Sequence, residues 1–225
     1  RFDLRVEVTR PSVSDLMGHG RCEPTATVRS RVLAARAIVA DRGIETNAAI
    51  PVDRLDDDGL LPAIFFVFSR AGCDDAARQV ARAGPALTTA EERARIDEII
   101  DDHVSELSDR DLDALQFAVW RDGLGAGIAA HHAGMVPPFK EAVEACFVEG
   151  LVKVVFATET LALGINMPAR SVVISSLSKF TGERHERLTP SQYTQLTGRA
   201  GRRGIDDHGT AVVLWSPFVA FADVA

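Results

Sequence analysis

A parallel α/β sheet flanked by helices is the fold class this sequence predicts, on three observations. Beyond Pro62, short apolar runs recur without strict alternation, which is how strands covered on both faces read. Amphipathic stretches fall between them, and strand–helix alternation of this kind builds a parallel sheet. The composition, 46% hydrophobic and 25% charged over 225 residues, supplies enough apolar side chain for a core and argues against disorder across most of the chain.

The elements follow in order. Residues 1–50 mix apolar alternation (Phe2, Leu4, Val6, Val8) with breakers at Pro11, Gly18, Gly20 and Pro24, then an Ala/Arg-rich helical stretch from Thr27 to Ala40. The chain begins abruptly, and this segment is expected to be a linker or the edge of a neighbouring domain. Residues 51–225 are expected to form the folded domain. Its strands are predicted at Ala63–Phe68, Gly127–His131, Val152–Ala157, Ser171–Ser175 and Thr210–Trp215. Helices are predicted over Asp74–Arg82, Thr89–Leu107, Asp111–Arg121 and Pro137–Glu149, the last with prolines in its first turn and Gly150 as a stop. Thr189-Pro190-Ser191-Gln192 reads as a capping box that opens a further helix. There is no internal repeat and no low-complexity segment.

Composition excludes several classes. No stretch approaches the ~20 apolar residues that span a bilayer, and Arg1 onward carries no signal-peptide pattern, so no membrane partner is expected. Cys22, Cys73 and Cys146 are odd in number and widely spaced, which suggests neither a disulfide framework nor a zinc module and fits a reducing cytoplasm. The net charge of −7 would ordinarily count against nucleic acid, but it is unevenly spread. Residues 91–113 gather ten acids against three arginines, within an acidic helical insert at about 85–122. Lys179 to Arg203 holds six basic residues against Glu183 and Glu186, a stretch able to bind a polyanion locally.

In an open parallel sheet ligands gather at the carboxyl ends of strands. Here those ends carry Ser69-Arg70, His132-Ala133-Gly134, Thr158-Glu159-Thr160, and Ser176 with Lys179, and hydroxyls, an arginine and loop amides converging on one edge would suit phosphates. Any α/β fold has polar loops, so this signal is weak alone. The strongest local sequence is Gln195 to Gly204, where Arg199 and Arg202 stand three apart among small residues. Arginine's planar fork fits phosphate oxygens, and neighbouring glycines permit close approach; a bare RxxR in a surface loop would be the blander reading.

Other motifs carry less. Gly123-Leu124-Gly125-Ala126-Gly127 has the wrong spacing for a dinucleotide loop and reads as a turn into the next strand. His131-His132 invites a metal reading, but adjacent strand residues face opposite sides, so no metal site is expected. Asp97-Glu98-Ile99-Ile100 looks like an acidic box yet lies inside an acidic helix and reads as a solvated face. Cys146 falls on the apolar side of its helix, as core.

Taken together, four segments resemble the second RecA-like domain of superfamily 2 helicases, in the Ski-like group of RNA helicases, and are especially similar to its bacterial HelY-type members. Phe66-Val67-Phe68-Ser69-Arg70 resembles motif IV, and His131 to Pro137 the family's His-His-x-Gly-Leu-x-Pro segment, with Met135 in place of leucine. Ala157 to Pro168 resembles motif V and Gln195 to Gly204 motif VI. The resemblance covers about Pro62 to Trp215 and leaves the first fifty residues unexplained.

The resemblance implies a RecA-like fold of the P-loop NTPase superfamily and a helicase motor in which ATP with Mg²⁺ sits between two RecA-like domains of one polypeptide. It implies Arg202 as the arginine finger on the γ-phosphate with Arg199 beside it, and Gln195, Gly164 and Asn166 near the nucleotide. Ser69, Arg70 and Thr158 would grip the nucleic-acid backbone, joined by the His132–Gly134 turn. The sequence contains no Gly-x-x-x-x-Gly-Lys-Ser/Thr loop and no DExH box; both belong to the first RecA-like domain, which would also hold most of the Mg²⁺ contacts. This chain alone is therefore expected to be inactive. The implied partner is RNA. DNA, as in a repair helicase of the same superfamily, is the alternative within the fold, and a non-catalytic nucleic-acid-binding module the alternative outside it.

Overall fold

A computed structural model describes residues 49–84, 87–161, 167–180 and 184–214. The expected helix at Thr27–Ala40, Cys22, and the expected site residues Gly164 and Asn166 lie outside the described residues. The elements run α1 (Ala49–Asp57), β1 (Ala63–Phe66), α2 (Arg70–Ala83), α3 (Ala90–Val104), α4 (Asp109–Ala114), α5 (Phe117–Gly125), β2 (Ile128–His131), α6 (Pro137–Val148), β3 (Val154–Ala157), β4 (Ser171–Ile174), β5 (Ser178–Phe180), β6 (His185–Arg187), α7 (Pro190–Thr197) and β7 (Thr210–Val213).

Five strands form one sheet in the order β2-β3-β1-β4-β7, every pair parallel, as the apolar runs predict. Alternation along each strand divides the core in two. Ile64, Phe66, Val155, Ala157, Val172 and Ile174 face Ile96, Ile100, Phe139, Val143 and Phe147 of α3 and α6. Ala63, Phe65, Ile128, Val154, Phe156 and Val173 face α1 and α2 through Val52, Leu55, Cys73 and Val80. Phe65 and Phe156 pack ring to ring at 4.9 Å on that second face. Both faces of the sheet are thus covered, which is why the runs do not alternate.

The acidic insert is attached by its apolar stripe. Ile96, Ile99, Ile100 and Val104 of α3 are buried, and Trp120 of α5 stacks on Phe139 of α6 at 4.0 Å. Burying one such isoleucine contributes about 1.5–3 kcal/mol. The ion pairs of Arg121 with Asp97 and Asp101 are half-exposed, and pairs of that kind contribute about 0–1 kcal/mol. Burial therefore fixes the insert, and its acids form the solvated face expected of them.

The structure corrects four expectations. The helix expected over Asp74–Arg82 begins at Arg70, because Ser69 caps it: the Gly72 N–H donates to Ser69 Oγ at 3.2 Å. The single helix expected over Asp111–Arg121 is two, broken where Gln116 takes φ 56°, a left-handed conformation no helix interior holds. α1 was not expected, nor was the antiparallel pair β5–β6, whose polar residues carry no apolar period. The capping box at Thr189 is present with both reciprocal bonds, to and from Gln192.

Candidate functional site

The polar residues singled out from the sequence fall into two groups on opposite edges of the sheet. At the carboxyl edge, the loops after four strands converge on one cleft of about 210 Å³, lined by Phe68, Ser69, Arg70, Ala133, Thr158, Glu159, Thr160 and Lys179. Ser69 uses its oxygen to accept the cap bond, which leaves its hydroxyl proton to donate outward. Its position at the start of the fourteen-residue α2 also brings the positive end of a helix dipole to the cleft. Thr158 and Thr160 share a hydroxyl–hydroxyl bond of 2.8 Å. Lys179 Nζ donates to Glu159 Oε2 at 2.6 Å and is held at the cleft wall by that pair. With Arg70 exposed beside them, two cations and one carboxylate leave the cleft net positive.

The His-His segment leads into this cleft, where Ala133 lines it. The two rings point to opposite sides: His131 Nε2 meets Glu144 of α6 at 2.9 Å, and His132 Nε2 meets Asp74 of α2 at 3.0 Å. Burial outweighs the Glu144 contact and pushes the His131 imidazole below the ordinary histidine range. His132 is 5% exposed, and its Nδ1 accepts the Gly134 N–H at 3.1 Å. That bond fixes the tautomer with the proton on Nε2, donated to Asp74. Both ring nitrogens are engaged within the fold, so His132 shapes the Ala133–Gly134 turn rather than presenting itself to a ligand. Gly134 lies against Arg70, where an added Cβ would stand 3.3 Å from Arg70 Cδ.

The arginine loop sits at the other edge. It follows α7 and is pinned to the residue stretch that enters β4: Ala169 N–H donates to Arg199 O (3.0 Å), and Gly201 N–H donates to Ala169 O (2.7 Å). Ala169 precedes the first residue of β4, which places the loop at the amino edge, roughly 13 Å of strand from the carboxyl edge. The loop closes on itself by a backbone crossing. A Cβ at Gly209 would overlap the Ala200 carbonyl, and Gly201 holds φ 90° against Gly209. Inside the closed loop Arg202 is bound by Asp206: Nε to Oδ2 at 2.8 Å, Nη2 to Oδ1 at 2.9 Å, and backbone N–H to Oδ2 at 2.9 Å. These bonds, above all the guanidinium's, hold the Asp206 carboxyl down at about 2. Gln195 is exposed on α7, one turn before Arg199.

The structure therefore brings Ser69, Arg70, Thr158 and the Ala133–Gly134 turn to one cleft, and separately places Gln195 on α7 and Arg199 and Arg202 on the loop that follows it. Sequence reasoning assigned no role to Asp74, Glu159, Asp206 and Gly209, and placed Lys179 only at a strand end and in a basic stretch. Asp206 alone carried a local signal, an acid four residues after an arginine; the others pair across distances in the chain that no spacing rule reaches. Among the described residues no cluster of three or more His, Cys, Asp or Glu side chains could hold a metal, and no helix is long and apolar enough to cross a membrane.

Comparison with known proteins gives these two groups a family. Residues 101–204 match the helicase conserved C-terminal domain. The probable helicase HelY of Mycobacterium tuberculosis is 61% identical over 174 residues, 77% of this chain and 19% of that protein. A DExH-box ATP-dependent RNA helicase of Arabidopsis thaliana is 42% identical over 173 residues, covering 77% of this chain and 13% of its own length. The superkiller complex protein 2 of Homo sapiens is 42% identical over 154 residues, 68% of this chain and 12% of that protein. The chain thus spans about a fifth or less of the length of these relatives. With its five-stranded parallel sheet, the chain has a RecA-like α/β fold and carries the helicase conserved C-terminal domain, and its homologues include HelY-type helicases and Ski2-like DExH helicases.

Proposed function

We propose that this chain is the C-terminal motor half of an ATP-dependent helicase that unwinds RNA. The observation that carries the reading is the division of its phosphate-binding groups between two edges of one sheet. A motor must hold a nucleotide and a nucleic-acid backbone at once, and a single phosphate site would serve only one of them.

At the amino edge Arg202 acts as the finger on the γ-phosphate, with Arg199 beside it. The charge spread over a transferring phosphoryl group is what a guanidinium stabilises, and a finger contributes about 10³–10⁵ in rate. Gln195 links the nucleotide to the first RecA-like domain of the same polypeptide, and Gly164 and Asn166 belong to the nucleotide-binding set. ATP is taken with Mg²⁺, whose ligands lie mainly in that first domain. At the carboxyl edge Ser69, Arg70 and Thr158 donate to successive phosphates, with Lys179 as a further cation and the His132–Gly134 turn as their support. Backbone contacts of this kind carry no base information, which suits tracking along a strand. Without the phosphate loop and DExH box this chain alone does not turn over ATP. Its setting is the cytoplasm.

RNA is favoured because one relative is named an RNA helicase. The test is ATP hydrolysis by the full-length polypeptide without nucleic acid, with single-stranded RNA, and with single-stranded DNA. Stimulation by RNA is expected; stimulation by DNA alone would move the reading to a DNA-directed helicase. Stimulation by neither would overturn the motor reading in favour of a binding module.

A further inference from the structure

Asp206 lies inside the arginine loop with only 5% of its side chain accessible, and its carboxylate accepts three hydrogen bonds from Arg202. A guanidinium offers two planar forks, a side edge of Nε and one Nη, and an end edge of both Nη atoms. Asp206 occupies the side edge. The end edge has no partner among the described residues, and the Arg202 side chain keeps 26% of its surface accessible. The same carboxylate accepts the Arg202 backbone N–H, and the Asp206 N–H donates to Arg202 O at 3.0 Å. Residue 206 therefore cannot swing away from residue 202 unless the turn opens.

We propose that Asp206 is the positioning residue for Arg202: it takes the side edge of the guanidinium and so presents the end edge to the transferring phosphoryl group. The inference rests on the reading of Arg202 as the finger. A free arginine samples many rotamers and has to be ordered during each turnover. One already clamped by a carboxylate meets the developing charge without reorganisation, the condition under which fixed groups stabilise a transition state best. Asp206 does not cancel the positive field it organises, because Arg170 also faces it and Arg199 and Arg203 stand in the same loop.

The test uses the full-length polypeptide with Asp206→Asn, Arg202→Ala and the double variant. Each is assayed for RNA-stimulated kcat and KM for ATP, for binding of ADP with and without aluminium fluoride as a mimic of the transferring phosphoryl group, and for thermal unfolding. Displacing a catalytic group by an ångström costs about 100-fold, so D206N is expected to lower kcat by roughly 10- to 100-fold. KM and ADP binding should stay within a few-fold, while binding of the aluminium fluoride complex weakens in step with kcat. The double variant should turn over no more slowly than R202A. An inactive R202A beside a D206N protein with unchanged or raised kcat overturns the role of Asp206 and leaves the finger standing. A fully active R202A removes the finger reading itself, and this inference with it. Should D206N unfold, Arg202→Lys decides. A lysine keeps the charge but cannot offer two forks, so its kcat should fall to the R202A level; retention of wild-type turnover would contradict the proposal.

Discussion

The carboxyl-edge cleft and the amino-edge loop both carry groups suited to phosphates, yet they are built by different physical means. The cleft is assembled from loops after four strands, spread from Phe68 to Lys179, and its polar groups meet through single side-chain bonds such as Thr158 to Thr160 and Lys179 to Glu159. The loop is local, confined to 198–209, and is locked by a backbone crossing at Gly209 and by the three bonds from Arg202 to Asp206. An assembly of separate hydroxyls and cations tolerates many phosphate positions, which suits the proposed grip on a moving strand. A closed loop fixes one guanidinium in one place, which suits the proposed role in phosphoryl transfer. Under the proposed function, the two scaffolds differ in how they hold similar chemistry.

The comparison breaks most sharply at Arg202. Arg202→Ala in the full-length polypeptide should lower RNA-stimulated ATP turnover by about 10³-fold or more, with single-stranded RNA affinity within two-fold of wild type. Steady-state hydrolysis and a binding titration read the two quantities separately.

Glycines at the two edges sharpen it next. Gly209→Val forces a side chain into the Ala200 carbonyl and should cost about 3 kcal/mol in denaturant unfolding, with turnover falling as the loop opens. Gly134→Ala meets only the His132 ring and the flexible Arg70 stem, at 3.2 and 3.3 Å, and should cost about 1 kcal/mol or less. Equal costs would show that the two edges are equally rigid.

Much of this was legible in the sequence, and for identifiable reasons. Four strands of the sheet could be read because each buries both faces, and continuous apolar runs such as Ala63–Phe66 and Val154–Ala157 need no partner to be recognised; the edge strand β7, only partly buried, was legible from its apolar composition alone. The capping box at Thr189 and the prolines opening α6 are local chemistry, and local chemistry reads well. What failed depended on partners distant in the chain. Nothing around Glu159 indicates Lys179, and nothing around Asp74 indicates His132, fifty-eight residues on. The break at Gln116 opposed a favourable helical pattern, and the close crossing at Gly209 is visible only once Ala200 is placed against it.

Smaller effects separate the edges further. Lys179→Ala should weaken single-stranded RNA binding several-fold and reduce the slope of log affinity against log salt by roughly one, since one phosphate contact is lost. A fluorescence titration across salt concentrations reads that slope; an unchanged slope would remove Lys179 from the phosphate-binding set. At the other edge, the Asp206 carboxyl is held at about 2, below its ordinary 3.8. A group lowered in this way adds stability that is full above its unfolded value and is lost as pH falls through its folded one. The stability gap between wild type and Asp206→Asn should therefore shrink as pH falls from about 4 to about 2, as followed by thermal unfolding. Least of all, the insert's ion pairs should matter little. Asp97→Asn with Asp101→Asn should cost about 1 kcal/mol or less and leave ATP turnover unchanged.

The most direct test of the two-edge account is to measure RNA affinity and RNA-stimulated turnover side by side in full-length Arg202→Ala and Lys179→Ala proteins. The account predicts a crossed result: the first variant binds RNA normally and does not turn over, and the second binds weakly but recovers its turnover as RNA is raised to saturation. If Arg202→Ala loses RNA affinity, or if Lys179→Ala stays slow at saturating RNA, the two edges do not divide the work as described.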